Sequence, residues 1–285
     1  MNCKHEFVFA GKGVVSLCGA LVVSGVLFLP GKGAAQVPLS DGGSSAIVNL
    51  GGGSGNIGMN NWSVLGQNQL NQQWFWFQTD GGVAQPINAI GGLTYSLSGN
   101  NFLDATYANS QLSVEIQYAL HGGGVGSGSA DLTESIYVVN LSGAPLTLNF
   151  YEYSDFNLLQ SGNNSVQIFG SPGAYSNVQQ TSGSTAIQEA IVSPFANYAE
   201  AANAGQTLNE LNTQSGLVLN DTTSAGPGNV TWAFQWLDLN IAPGGELDIF
   251  KDKSLSIQMV PEPSTFAFIA LGLGAWGLAR RRQSS

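Results

Sequence analysis

Polar and apolar residues alternate in short runs along most of the chain. In residues 112–120, Leu112, Val114, Ile116, Tyr118 and Leu120 fall on one face and Ser113, Glu115 and Gln117 on the other. That two-residue period marks a half-buried strand. Residues 93–97 repeat it with Leu93, Tyr95 and Leu97. A glycine-rich turn at 121–128 leads to a strand at 132–140. Ser142-Gly143-Ala144-Pro145 then reads as a hairpin-like connector to 146–153. Further strands are predicted at 166–169, 185–192, 230–239, 247–250 and 255–260. Residues 73–78 form a continuous aromatic strand, with Trp74 and Trp76 on one face and Phe75 and Phe77 on the other. Only 194–211 reads as helical, with its alanines, Glu200 and Glu210. Short strands spaced by turn residues predict an all-β fold, a jelly-roll-like antiparallel β-sandwich formed by residues 59–259. Residues 36–58, rich in Gly, Ser and Asn, read as a flexible leader.

The two ends have a different character. Lys4 and Lys12 precede an apolar stretch at 14–29, and Gly33-Ala34-Ala35 supplies small residues for cleavage between Ala35 and Gln36. Residues 1–35 therefore read as a signal peptide with a short helix. The apolar stretch falls below the about 20 residues of a spanning helix. Cys18 follows Leu17, where lipidation needs a small residue, and both cysteines, Cys3 and Cys18, lie inside the signal. The exported body then has no disulfide and no cysteine-bound metal.

At the other end, Val260-Pro261-Glu262-Pro263-Ser264-Thr265 precedes an apolar run at 266–279 and the cluster Arg280-Arg281-Arg282. The run makes roughly 21 Å of helix at 1.5 Å per residue, and the arginines hold its end in the cytoplasm. This order resembles the PEP-CTERM sorting signal of Gram-negative bacteria over residues 260–285: a Pro-Glu-Pro motif, a transmembrane sorting helix and a basic cluster. The resemblance implies export machinery and an exosortase as partners. It also implies a transient inner-membrane intermediate and release to the cell surface or an exopolysaccharide matrix. The body is similar to a recurrent PEP-CTERM body type of unassigned activity. The similarity rests on Gln73-Trp74-Phe75, Asp131-Leu132-Thr133-Glu134, Tyr151-Glu152-Tyr153-Ser154-Asp155 and Trp232-Ala233-Phe234-Gln235-Trp236.

Charge sharpens this picture. The chain has 9% charged residues and a formal charge of −10. Residues 36–260 hold two lysines, Lys251 and Lys253, against sixteen acids, a formal charge of −14. So few cations exclude a nucleic-acid partner.

Candidate chemistry is sparse. The body has one histidine, His121, and no arginine. His121 sits in a glycine run without a nucleophile elbow, so a Ser-His-Asp relay is not expected. Glu152 with Asp155, and Asp131 with Glu134, could supply the carboxylate pair of a glycan hydrolase. Solvated strand-edge acids that oppose aggregation are the expected role. No cofactor is expected beyond structural calcium, for which Asp155 and Asp221 lie in oxygen-rich segments. Trp74 and Trp76 are candidates for stacking on sugar rings, against a core role for both aromatic strands. The sequence reading is thus a non-catalytic structural or polysaccharide-binding protein, with a secreted hydrolase as the alternative.

Overall fold

A computed structural model describes residues 36–51 and 57–258. The predicted signal helix, the Ala35–Gln36 junction, Pro261-Glu262-Pro263, the sorting helix and the arginine cluster lie outside, or on the border of, the described residues. Among the described residues, no helix is long and apolar enough to cross a membrane.

The strands are β1 (Gln36–Asp41), β2 (Ser44–Asn49), β3 (Gly58–Val64), β4 (Gln67–Asn68), β5 (Leu70–Gln78) and β6 (Gln85–Pro86). They continue with β7 (Thr94–Ser98), β8 (Phe102–Ala108), β9 (Leu112–Gly122), β10 (Ser129–Asn140), β11 (Leu146–Phe156) and β12 (Asn164–Phe169). Then come β13 (Asn177–Ser182), β14 (Thr185–Ser193), β15 (Tyr198–Asn203), β16 (Ser224–Gly228), β17 (Val230–Ile241) and β18 (Glu246–Ile257). Among the described residues there is one α-helix, α1 (Gln206–Thr213), which separates β15 from β16.

These strands make two antiparallel sheets of nine strands each. The first runs β1-β2-β3-β5-β11-β17-β15, with β4 beside β3 and β6 beside β5. The second runs β16-β12-β13-β14-β18-β10-β9-β8-β7. The all-β expectation holds, and the strand count exceeds the eight of a jelly roll. Among the described residues, the apolar core fills the space between the sheets and continues onto the outer face of the first, where Leu211, Leu217 and Leu219 join it.

Two expectations need correction. Residues 36–49 are not a loose leader, because β1 and β2 form a hairpin whose Val37, Leu39, Ala46 and Val48 are buried. The predicted helix at 194–211 is mostly not helical. Tyr198–Asn203 is β15, paired with β17, and α1 begins at Gln206. Pairing against a neighbouring strand outweighs the helix preference of alanine here.

The first sheet is covered on both faces near its centre. Trp232, Phe234 and Trp236 of β17 are buried, and the Trp232 Nε1 of this first sheet reaches Glu189 of β14 in the second. On the other face, Gln235 Nε2 donates to the Leu217 carbonyl (3.1 Å), and its Oε1 accepts from the Leu219 amide (2.9 Å). There, α1 is tied down by Thr207 Oγ1, which donates to Glu200 Oε1 at 2.6 Å.

Candidate functional site

Three strands of the second sheet break their own pattern at the same depth. In β10, Glu134 occupies the face shared by Leu132, Ile136 and Val138; in β14, Glu189 lies in phase with Ile187 and Ile191. In β18, Lys251 and Lys253 replace apolar residues between Ile249 and Leu255. The register sets Glu134 opposite Lys251 and Glu189 opposite Lys253. From the first sheet, Glu152 of β11 projects into the same space. All five side chains are 0% exposed.

Each lysine meets all three glutamates. Lys251 Nζ is 2.8 Å from Glu134 Oε2, 2.5 Å from Glu152 Oε2 and 3.4 Å from Glu189 Oε1. Lys253 Nζ is 2.5 Å from Glu134 Oε2, 2.9 Å from Glu152 Oε1 and 3.4 Å from Glu189 Oε2. Gln73 Nε2 donates to Glu152 Oε1 at 3.2 Å, and Trp232 Nε1 to Glu189 Oε2 at 3.3 Å. The Phe75 ring lies 4.6 Å from Lys251 Nζ.

Burial decides the charge state. Burial, then the charge of Glu152, pushes the Glu189 carboxyl up to about 8. Burial also opposes ionisation of Glu152, but Lys251 and Lys253 outweigh it and hold that carboxyl well below its ordinary range. Burial likewise opposes the charge on Lys253, and the three glutamates overcome it, raising its ammonium well above the ordinary value. Burial thus favours the protonated form of Glu189. Dry interiors tolerate ions only when they are paired, as the lysines and glutamates are here.

The expected solvated role of Glu134 and Glu152 is therefore wrong. Asp131 is exposed on the other face of β10, so it does not join Glu134. Asp155 accepts a hydrogen bond from Asn71 Nδ2 at 3.1 Å, and burial raises its carboxyl. Asp221 adopts a left-handed backbone (φ 61°) beside the Ala199 amide, 3.4 Å from its Oδ1. Among the described residues, no group of three or more His, Cys, Asp or Glu side chains is arranged to hold a metal ion. His121 is exposed at the end of β9, opposite Asp131.

Trp74 and Trp76 are also not open stacking platforms, with 0% and 3% exposure. Trp76 Nε1 donates to Asn212 Oδ1 of α1 at 3.3 Å, and Trp76 packs edge-on against Tyr153. The two tryptophans still border a cleft of about 280 Å³ with Gln72, Pro86, Leu208 and Asn212. A second cleft, of about 330 Å³, is lined by neutral polar groups, including Gln167, Gln179, Thr181 and Ser224. A third, of about 190 Å³, holds Thr94, Tyr95, Ser96 and Asp104. Burial, then the nearby Glu115, raises the Asp104 carboxyl. This pair was not anticipated, although the alternation had placed Glu115 on the solvent face.

Residues 260–283 match the family model described as the PEP-CTERM protein-sorting motif. The chain carries a PEP-CTERM sorting motif. The match spans Pro261, Glu262, Pro263 and the three arginines, as their order implied. A PEP-CTERM motif implies recognition by an exosortase, and so export to the cell surface or the extracellular space. No curated protein matches the chain in sequence. In fold, the chain is similar to a bacterial glucoamylase complexed with acarbose, at 10% identity and a TM-score of 0.53. That match covers 87% of this chain and 37% of the glucoamylase. The chain is also similar to an Escherichia coli K12 protein assigned as an aldose 1-epimerase, at 10% identity and a TM-score of 0.52. There the match covers 80% of this chain and 100% of the other. At such identity the likeness is one of fold alone.

Proposed function

We propose that the PEP-CTERM protein is exported through a signal peptide cleaved between Ala35 and Gln36. It is held briefly in the inner membrane by its C-terminal helix and released after processing at Pro261-Glu262-Pro263. Its β-sandwich then acts without catalysis, as a structural or glycan-binding component of the surface or matrix. One observation carries the non-catalytic reading. The three carboxylates that converge within reach of shared partners, Glu134, Glu152 and Glu189, are sealed from solvent and neutralised by lysines. A substrate cannot reach them.

The exterior also limits the partner. Lys251 and Lys253 are both buried, and no arginine falls within 36–258. Among the described residues, then, no lysine or arginine side chain reaches the surface. Anionic polymers meet only like charge there, so neutral glycans fit better. The neutral amide and hydroxyl lining of the largest of the three clefts agrees with that choice. The fold is shared with proteins whose names mark them as acting on sugars, which supports placing this body among glycans.

A hydrolase remains as the second reading because Asp104 and Glu115 influence one another beside an open cleft. The experiment is incubation of the purified protein with neutral and anionic matrix polysaccharides, measuring binding and released reducing ends together. The proposal predicts retention on neutral glycan without product. Product that disappears in both Asp104→Asn and Glu115→Gln establishes the hydrolase instead.

A further inference from the structure

Charges in a dry core are costly, because each ion gives up its water. The five-residue cluster has the parts needed to remove two of them. Lys251 Nζ lies 2.5 Å from Glu152 Oε2, and the two side chains come from opposite sheets. Glu189 Oε1 lies 3.4 Å from the same Lys251 Nζ, and burial favours the protonated form of its carboxyl. Glu134 Oε2, 2.8 Å from Lys251 Nζ, is placed to accept a proton. The Phe75 ring covers the ammonium and keeps water away.

We propose that Lys251 and Glu152 condense within the folded core to an isopeptide bond, with Glu189 as the acid and Glu134 as the base. Glu134 takes a proton from the Lys251 ammonium, and the freed lone pair attacks Cδ of Glu152. Glu189 gives its proton to the Glu152 oxygen that leaves. The second proton lost from Nζ returns to Glu189, and Glu134 passes its proton to the departing oxygen. A C–N bond forms, a C–O bond breaks, and one water leaves. Both helper acids end as they began, and no oxidant or reductant is required.

The interior supplies the driving force. In water, ammonium and carboxylate are well solvated, and condensation is uphill. In the core the same step removes one buried cation and one buried anion. The Lys253–Glu134 ion pair remains. The bond also ties the two sheets together in a body without cysteine.

The test is a peptide map of the purified full chain, digested with chymotrypsin and read by mass spectrometry. The expected result is a branched peptide joining the Glu152 and Lys251 segments, lighter than their sum by one water. Lys251→Arg and Glu189→Gln should both lose the branch. Linear peptides carrying free Glu152 and free Lys251, recovered from folded protein, overturn the proposal. So does a branch at Glu134 or Lys253. If Lys251→Arg does not fold, the map of the unaltered chain decides alone.

Discussion

Lys253 Nζ lies 2.5 Å from Glu134 Oε2, although the strand register sets Lys253 opposite Glu189 and Glu134 opposite Lys251. This diagonal contact makes the two cross-strand pairs one unit, and Glu152 joins that unit to the other sheet. Groups sharing partners this closely do not contribute additively.

Removing one member should therefore cost more than removing a matched pair. Lys253→Met leaves Glu134 buried without its shortest contact and should cost about 3–5 kcal/mol. Combining it with Glu134→Leu should recover part of that loss, because an apolar pair leaves no uncompensated charge. Urea unfolding of both single variants and the double variant measures the coupling.

Stability should fall on the alkaline side. Glu189 binds its proton more tightly in the folded state, at about 8 against an ordinary 4.5. Its contribution is complete below pH 4.5 and is lost as pH rises through 8. Within that window each pH unit weakens folding by up to about tenfold. Glu189→Gln, neutral throughout, should flatten the limb. A free Glu152, held low by the lysines, has the opposite sign: its stability is present above 4.5 and lost as pH falls. That acid limb should appear in Lys251→Arg and be absent from a chain in which Glu152 is an amide. Urea midpoints measured across pH separate the two limbs.

The β1–β2 hairpin should prove integral to the fold. Gly42 has φ +52°, and an added Cβ would lie 2.3 Å from the Gly123 carbonyl oxygen. The neighbouring Asp41 Oδ2 accepts from the Gly122 amide at 2.8 Å. Gly42→Ala should cost roughly 1–3 kcal/mol through backbone strain and the displaced loop. A lowered thermal midpoint in the purified variant checks this.

Sorting gives a cellular prediction. Deleting Pro261-Glu262-Pro263 should leave full-length protein in the membrane fraction and abolish its release. Fractionation followed by immunoblotting reads both size and location. Unchanged size and release in the deletion contradict processing at this motif.

Most strands were legible because one face of each is buried, so a two-residue period survives in the sequence. The same rule was not carried to the charged positions: Glu134 was expected in solvent, and Lys251 and Lys253 fell between the strands predicted at 247–250 and 255–260, which are one strand, β18. Glu134, Glu189, Lys251 and Lys253 all sit in phase with isoleucine and leucine, where a solvated charge has no place. What the sequence did not reveal was that these four positions meet, since the pairing joins segments more than fifty residues apart. The burial of Trp74 and Trp76 was hidden for a related reason: part of their cover comes from Leu208 and Asn212 on α1. The alanines of β15 misled because Ala199 and Ala201 are small to fit against Phe234 and Trp232, not to build a helix.

The non-catalytic account rests on the sealing of the three convergent glutamates, and carboxyl footprinting of the folded protein tests that most directly. A water-soluble carbodiimide with a small amine should label exposed Asp131 and Glu246 and leave Glu134, Glu152 and Glu189 untouched. Labelling of Glu152 or Glu189 at the rate of Asp131 would contradict the account and return these acids to the list of groups a substrate can reach.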